Sequence, residues 1–140
     1  MSKTNTVKFG TALRSPYGVA ELSRQIEGLG YDVLGCGEHV SFHGDTANGF
    51  VSLSVAAGAT TNIELMSTIT LVPLYPAALL AKMGAALDVA SNGRFSLGVG
   101  VGGEFANEFA SFGFEDRFQF VAAFNRPRRN LVVIAGWLDA

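Results

Sequence analysis

Apolar residues recur along this chain with two periods that alternate. Val19, Leu22, Ile26 and Leu29 are spaced at helical intervals and predict a helix that ends at Gly30. In residues 95–100 the period is two, because Phe, Leu and Val alternate with Ser and Gly, and this pattern predicts a strand. A glycine-rich turn follows that strand.

The remaining segments continue the alternation. Strands are predicted at residues 7–13, 33–37, 63–72 and 95–100, with helices between them. The apolar face of the second helix is predicted to carry Phe50, Leu53, Ala57 and Thr60, and that of the third to carry Leu79, Met83, Leu87 and Ala90. Such an order is typical of consecutive βαβ units, so we expect an α/β fold with parallel strands whose carboxyl ends lie on one side.

The last part of the chain differs in character. Phe114–Asn125 predicts a helix and Leu131–Ala135 predicts a fifth strand, and the segment Arg126–Arg129 separates them. We therefore divide the chain into residues 1–113 and a tail, residues 114–140.

The strand at residues 95–100 is bulky on one face and nearly bare on the other. A bare face leaves room for a flat ligand, and glycines let a backbone approach it closely. Gly98-x-Gly100-x-x-Gly103 also matches the dinucleotide-binding pattern by letter. That pattern normally follows the first strand of its domain, whereas here three strands precede it. An NAD-binding turn, a plain tight turn and a glycine floor below another flat cofactor all remain open.

Residues able to do chemistry fall at the ends of three predicted strands. Glu38-His39 follows the second strand, Thr68–Thr70 closes the third, and Gly98–Glu104 follows the fourth. Ligands of parallel α/β folds bind at the carboxyl ends of the strands, so this placement points to a site there.

His39 is the first candidate for proton transfer, because histidine exchanges a proton near neutral pH. A histidine at a strand end also has a simpler explanation, as a surface or capping residue. Cys36, His39 and His43 are close in sequence, but Cys36 and His39 are predicted to point to opposite strand faces. We therefore expect no metal site.

Composition narrows the class of protein. The chain has 140 residues, of which 49% are hydrophobic, and a formal net charge of −2, so it is a globular composition with no basic surplus for nucleic acid. The apolar run Leu71–Ala81 contains two prolines and is shorter than the roughly 20 residues of a membrane span. Cys36 is the only cysteine, which excludes an internal disulfide. These features predict a cytoplasmic protein that binds neither nucleic acid nor a membrane.

Four motifs, in order, carry a family resemblance. They are Gly37–Val40, Glu64–Thr70 with its following prolines, Leu87–Arg94 and Leu97–Gly102. Over Val7–Gly113 the chain resembles the bacterial luciferase-like monooxygenase family, which includes FMN-dependent monooxygenases and coenzyme F420-dependent oxidoreductases.

The resemblance implies a TIM barrel with FMN or F420 at its carboxyl-terminal mouth. It implies that the protein acts on a small-molecule substrate and that His39 and Glu104 are catalytic. It also implies that the third strand ends in a bulge with a non-prolyl cis peptide bond that backs the cofactor ring, for which Ile69–Thr70 is the best match. The residues implied to contact the cofactor are Thr68, Ile69, Thr70, Gly98, Gly100, Val101 and Gly102.

The length sets an expectation of its own. A TIM barrel needs about 250 residues, whereas this chain offers four clear βα units, about half a barrel. The resemblance ends after Gly113, so we expect a truncated or frame-shifted reading frame with an unrelated tail. The alternatives are a non-catalytic half-barrel that acts through a partner chain, and a homodimer in which two copies complete a barrel.

Overall fold

The computed structural model describes residues 7–40 and 44–100, and the backbone of residues 131–133. Helices and strands alternate along most of this length. The elements in chain order are β1 Gly10–Leu13, α1 Val19–Gly28, β2 Val33–Cys36, α2 Gly49–Ala59, β3 Glu64–Ser67, β4 Thr70–Leu71, a 3-10 turn Val72–Leu74, α3 Ala77–Ala90, β5 Phe95–Gly100 and β6 Leu131–Val133.

All strand pairs in the described residues are parallel. The sheet has the order β1-β2-β3-β5-β4, and β6 pairs with β5. The predicted parallel α/β class is therefore confirmed, and β6 falls within the predicted fifth strand. The helix predicted at Phe114–Asn125 and the division after residue 113 lie outside the described residues.

The core lies between the sheet and the helices. All four residues predicted for the core face of α2 are buried, and Asn48 caps this helix by accepting a hydrogen bond from the Val51 N–H at 3.0 Å. In β2, Leu34 and Cys36 point into the same core and are fully buried. The alternate residues of the strands therefore form an inner face, away from the helices.

Two of the predicted helix faces need correction. In α1, Leu29 is 75% exposed, whereas Ser23 is buried. The Ser23 hydroxyl donates to the Val19 carbonyl at 2.7 Å, which offsets the cost of burying it. In α3, Leu80 is buried where Leu79 was expected, and Leu79 is 49% exposed. Ala90, also predicted for the apolar face of α3, is exposed.

The third predicted strand is interrupted. It divides into β3 and β4, with the cis peptide bond Thr68–Ile69 between them, one residue earlier than the predicted position. Met66 pairs with Ser96 and Thr70 pairs with Val99, so three residues of the β3–β4 segment face two of β5. This extra residue makes residues 68–69 a bulge. The uninterrupted β pattern of residues 63–72 did not predict it, whereas the family resemblance implied a bulge one residue later.

Side chains close the amino ends of the strands. Arg94 donates to the carbonyls of Ala57, Thr60, Ile63 and Ser91 and to the Thr60 hydroxyl, at 2.8–3.2 Å. We call this side of the sheet the amino edge.

Glu27 accepts hydrogen bonds at the same edge. Its carboxylate receives the backbone N–H groups of Thr61, Asn62 and Ile63 at 2.6–3.2 Å. Desolvation alone would raise the pKa of Glu27, but the three N–H donors and the nearby Arg94 charge outweigh it, and the net effect lowers this pKa.

Candidate functional site

The bulge at residues 68–69 lies between glycines of the two neighbouring strands. On the β2 side, a Cβ on Gly35 would lie 2.9 Å from Thr68 Oγ1, and one on Gly37 would lie 3.1 Å from the Thr68 carbonyl oxygen. On the β5 side, a Cβ on Gly100 would lie 2.0 Å from Ile69 Cδ1. Any side chain at these positions would require Thr68 or Ile69 to shift, so the glycines favour the bulge as it stands.

This packing gives a different explanation for the small residues on one face of β5. That face was expected to leave space for a flat ligand, but the space is filled by the same chain. A Cβ on Gly98 would lie 2.1 Å from the Ser67 carbonyl oxygen. The Ser67 hydroxyl also accepts from the Gly98 N–H at 2.9 Å and donates to the Gly98 carbonyl at 2.8 Å. Contact of Gly98 and Gly100 with a cofactor stays a prediction.

Glu38, directly before His39, is the buried carboxylate of this region. It is 5% exposed, and its Oε2 accepts from the Leu71 N–H at 3.0 Å. Its Oε1 accepts from the Tyr75 hydroxyl and, at 3.5 Å, from the Asn48 side chain. Glu38 therefore links the end of β2 to β4, to the 3-10 turn and to the start of α2.

Two neighbours of Glu38 are held in their protonated forms. Burial, the hydrogen bond to Glu38 and the charge of that carboxylate raise the pKa of Tyr75. Burial raises the pKa of the Cys36 thiol, the Glu38 charge adds to this, and a hydrogen bond with Ser52 opposes it. Tyr75 thus stays a hydrogen-bond donor, and Cys36 is a core residue rather than a nucleophile.

His39 is half-buried at the end of β2, and its backbone carbonyl accepts from the Thr46 hydroxyl at 3.4 Å. Two residues earlier, Gly37 lies against the Thr68 carbonyl. Leu71, just beyond the bulge, pairs with Gly100 in β5. The carboxyl ends of β2, β3–β4 and β5 therefore meet on one side, which we call the carboxyl edge.

A cavity of about 470 Å³ lies on the inner face beside this edge. Thr68 and Arg14 line it near the carboxyl ends of the strands, and the small residues Gly10, Ala12 and Gly35 form much of its wall. It is open to solvent, so its place beside the strand ends, and not its volume, makes it a candidate ligand site.

Several predicted site residues lie outside the described residues. They are Val101, Gly102 and Glu104, together with Gly103 of the dinucleotide pattern and His43. Among the residues that the structure describes, no group of three His, Cys, Asp or Glu side chains is placed to hold a metal ion. None of the helices in the same residues has the length and hydropathy needed to cross a bilayer.

Sequence reasoning placed Glu38 at this edge but gave it no role, and it missed Tyr75. The sequence signal for the role of Glu38 was a carboxylate at the end of a strand of apolar and small residues. A carboxylate that is buried at such a position needs hydrogen-bond donors. Nothing in the local sequence identifies Leu71 and Tyr75, 33 and 37 residues away, as those donors.

Comparison with known proteins assigns the family. The family model described as luciferase-like monooxygenase matches residues 1–132. No curated protein matches the sequence.

Solved structures share the fold. The coenzyme F420-dependent tetrahydromethanopterin reductase of Methanopyrus kandleri is 26% identical, with a TM-score of 0.67 over 79% of this chain and 31% of its own. An F420-dependent secondary alcohol dehydrogenase in complex with an F420-acetone adduct is 25% identical, with a TM-score of 0.62 over 76% of this chain and 34% of its own.

A third structure adds support for the fold alone. The oxygenating constituent of 3,6-diketocamphane monooxygenase from Pseudomonas putida, in complex with FMN, is 23% identical, with a TM-score of 0.64 over 71% of this chain and 30% of its own. The chain thus spans about a third of the length of these proteins.

Proposed function

The chain belongs to the luciferase-like monooxygenase family, and from this premise we propose that it forms part of an oxidoreductase site for FMN or coenzyme F420. The substrate class is a small organic molecule. The bound cofactor would supply the redox chemistry, by reaction with oxygen for FMN or by hydride exchange for F420.

The observation that carries this proposal is the meeting of three strand ends at the carboxyl edge. Thr68 and Ile69 pack against glycines of both β2 and β5, and His39 follows β2 at the same side. Parallel α/β folds bind ligands at this side of the sheet. Two F420-dependent enzymes are among the similar structures, which supports a deazaflavin beside FMN as the cofactor.

The proposal places the flat ring system of the cofactor in the inner-face cavity. Its wall of small residues leaves open volume, and Thr68 offers a hydroxyl and a backbone at its carboxyl end. In this proposal Thr68 and Ile69 hold one face of the cofactor, and Arg14 adds a positive charge near the opening. Thr70, which is only 2% exposed, would support these residues from behind. His39 would move a proton to or from the substrate, because its imidazole exchanges protons near neutral pH.

Two variants of the 140-residue chain test the proposal. Ala12→Phe places a ring in the inner-face cavity, whereas Val51→Phe places one in a groove of about 500 Å³ between α1 and α2. Fluorescence titration with FMN and with F420 should show binding to the wild type and to Val51→Phe, and about tenfold or more weaker binding to Ala12→Phe. Equal binding by both variants, or no binding by the wild type, would contradict the proposal.

A further inference from the structure

Glu38 accepts a hydrogen bond from a backbone N–H of β4 that no neighbouring strand accepts. The ladder between β2 and β3 runs to the pair Cys36–Ser67, and the Thr68 N–H still donates to the Cys36 carbonyl at 2.8 Å. Beyond the bulge, β4 pairs with β5. The Leu71 N–H, on the β2 side of β4, donates to the Glu38 carboxylate instead of to a strand.

The second carboxylate oxygen of Glu38 binds two further segments of the chain. Oε1 accepts from the Tyr75 hydroxyl, directly after the 3-10 turn, and from Asn48, which caps α2. A carboxylate with three donors is well compensated for its burial, and hydrogen bonds to an ionised acceptor are about twice as strong as neutral ones. Glu38 therefore holds residues 70–75 to the end of β2 on the far side of the bulge.

We infer that Glu38 is a positioning residue, which sets the placement of the Thr68–Thr70 segment relative to His39 for the bound cofactor. This inference rests on the proposed function. Glu38 and His39 are adjacent in the chain, so the carboxylate that fixes β4 also fixes the backbone that presents the imidazole. Glu38 acts through these neighbours and takes no part in the chemistry.

The test compares two carboxylates. Glu38→Gln keeps the size and one acceptor oxygen but loses the charge, and it places an amide N–H₂ near one of the three donors. Glu27→Gln makes the same change at the amino edge, where the carboxylate also accepts backbone N–H groups. Tyr75→Phe removes a single donor and serves as the milder variant if Glu38→Gln does not fold.

Two readouts separate positioning from general stability. In the ligand-free chain, amide hydrogen exchange at residues 68–71 should be about tenfold faster in Glu38→Gln than in Glu27→Gln under conditions of equal stability. With cofactor, Glu38→Gln should bind about tenfold more weakly, and the visible circular dichroism of the bound ring should change. Tyr75→Phe should shift both readouts in the same direction by a smaller factor.

The possible outcomes are distinct. Wild-type exchange, affinity and dichroism in Glu38→Gln would overturn the positioning role and leave the proposed function in place. Wild-type chain that binds neither FMN nor F420 would overturn the proposed function and, with it, the role of Glu38 toward a cofactor. Loss of affinity in Glu38→Gln, with Glu27→Gln unchanged, would establish the role.

Discussion

The two edges of this sheet use carboxylates in opposite settings. At the amino edge, Glu27 accepts three consecutive backbone N–H groups, and Arg94 donates five hydrogen bonds beside it. At the carboxyl edge, Glu38 is almost fully buried and holds one backbone N–H and a phenol. Long charged side chains close the first edge, whereas glycines and a bulge shape the second.

The predicted site residues lie at only one of the two edges. The amino edge joins the helix ends to the strand starts and contains none of the predicted site residues. The carboxyl edge brings together Glu38, His39, the bulge and β5. In parallel α/β barrels, residues at the first edge serve stability and residues at the second serve ligands. Substitutions at the two edges are therefore expected to have different signatures.

The largest effect on stability is expected for Gly98→Ala. The new methyl group would lie 2.1 Å from the Ser67 carbonyl oxygen, and backbone must shift to relieve the overlap. We expect a loss of about 3 kcal/mol in the free energy of unfolding, measured by urea denaturation. Gly58→Ala in α2 is the matched control, because a Cβ there meets nothing within 4 Å and helix propensity improves. Equal stability of the two variants would show that the glycine is not required by packing.

The next largest effect is expected on turnover. In a full-length version of the protein, His39→Ala should lower substrate turnover about 100-fold if the imidazole transfers the proton, with little change in the free energy of unfolding. The measurement follows the change in cofactor absorbance with a substrate that the wild-type protein turns over. Turnover equal to that of the wild type would remove His39 from the site, and a matching loss of stability would assign it to the fold.

Arg94→Lys tests the amino edge. A lysine keeps the charge but offers three donors on a flexible stem in place of a planar fork, so most of the five hydrogen bonds are lost. We expect the free energy of unfolding to fall by about 2 kcal/mol while the cofactor affinity stays unchanged. A change in affinity larger than threefold would mean that the two edges are coupled.

The smallest effect is expected for Glu27→Gln and depends on pH. The folded state lowers the pKa of Glu27 below its ordinary value of 4.5, so its stabilisation is present above that pH and is lost as the pH falls through the folded-state pKa. The variant should be about 1 kcal/mol less stable at pH 7, because solvent screens the group, and the difference should shrink below about pH 4.5. Urea denaturation at pH 7 and pH 3.5 measures it, and a difference that does not change with pH would contradict this origin.

Much of the fold followed from local patterns. The end of the first helix at Gly30 was predicted from residue type, and Gly30 has a positive φ in the structure. The face of α2 was predicted correctly from the regular spacing of Phe50, Leu53 and Ala57, all of which are buried. In α3, where apolar residues occur on several sides, spacing alone did not choose between Leu79 and Leu80.

The sequence by itself determined the alternation of strands and helices, their parallel class and the positions of the strand ends, because each depends on periodicity and turn chemistry within a few residues. Only the tertiary structure decided why Gly98 and Gly100 are glycines and what Glu38 holds. Those answers depend on Ser67, Ile69, Leu71 and Tyr75, about 30 or more residues away along the chain. The physical reason is that steric exclusion and hydrogen bonding between strands act at contact distance, which local periodicity does not encode.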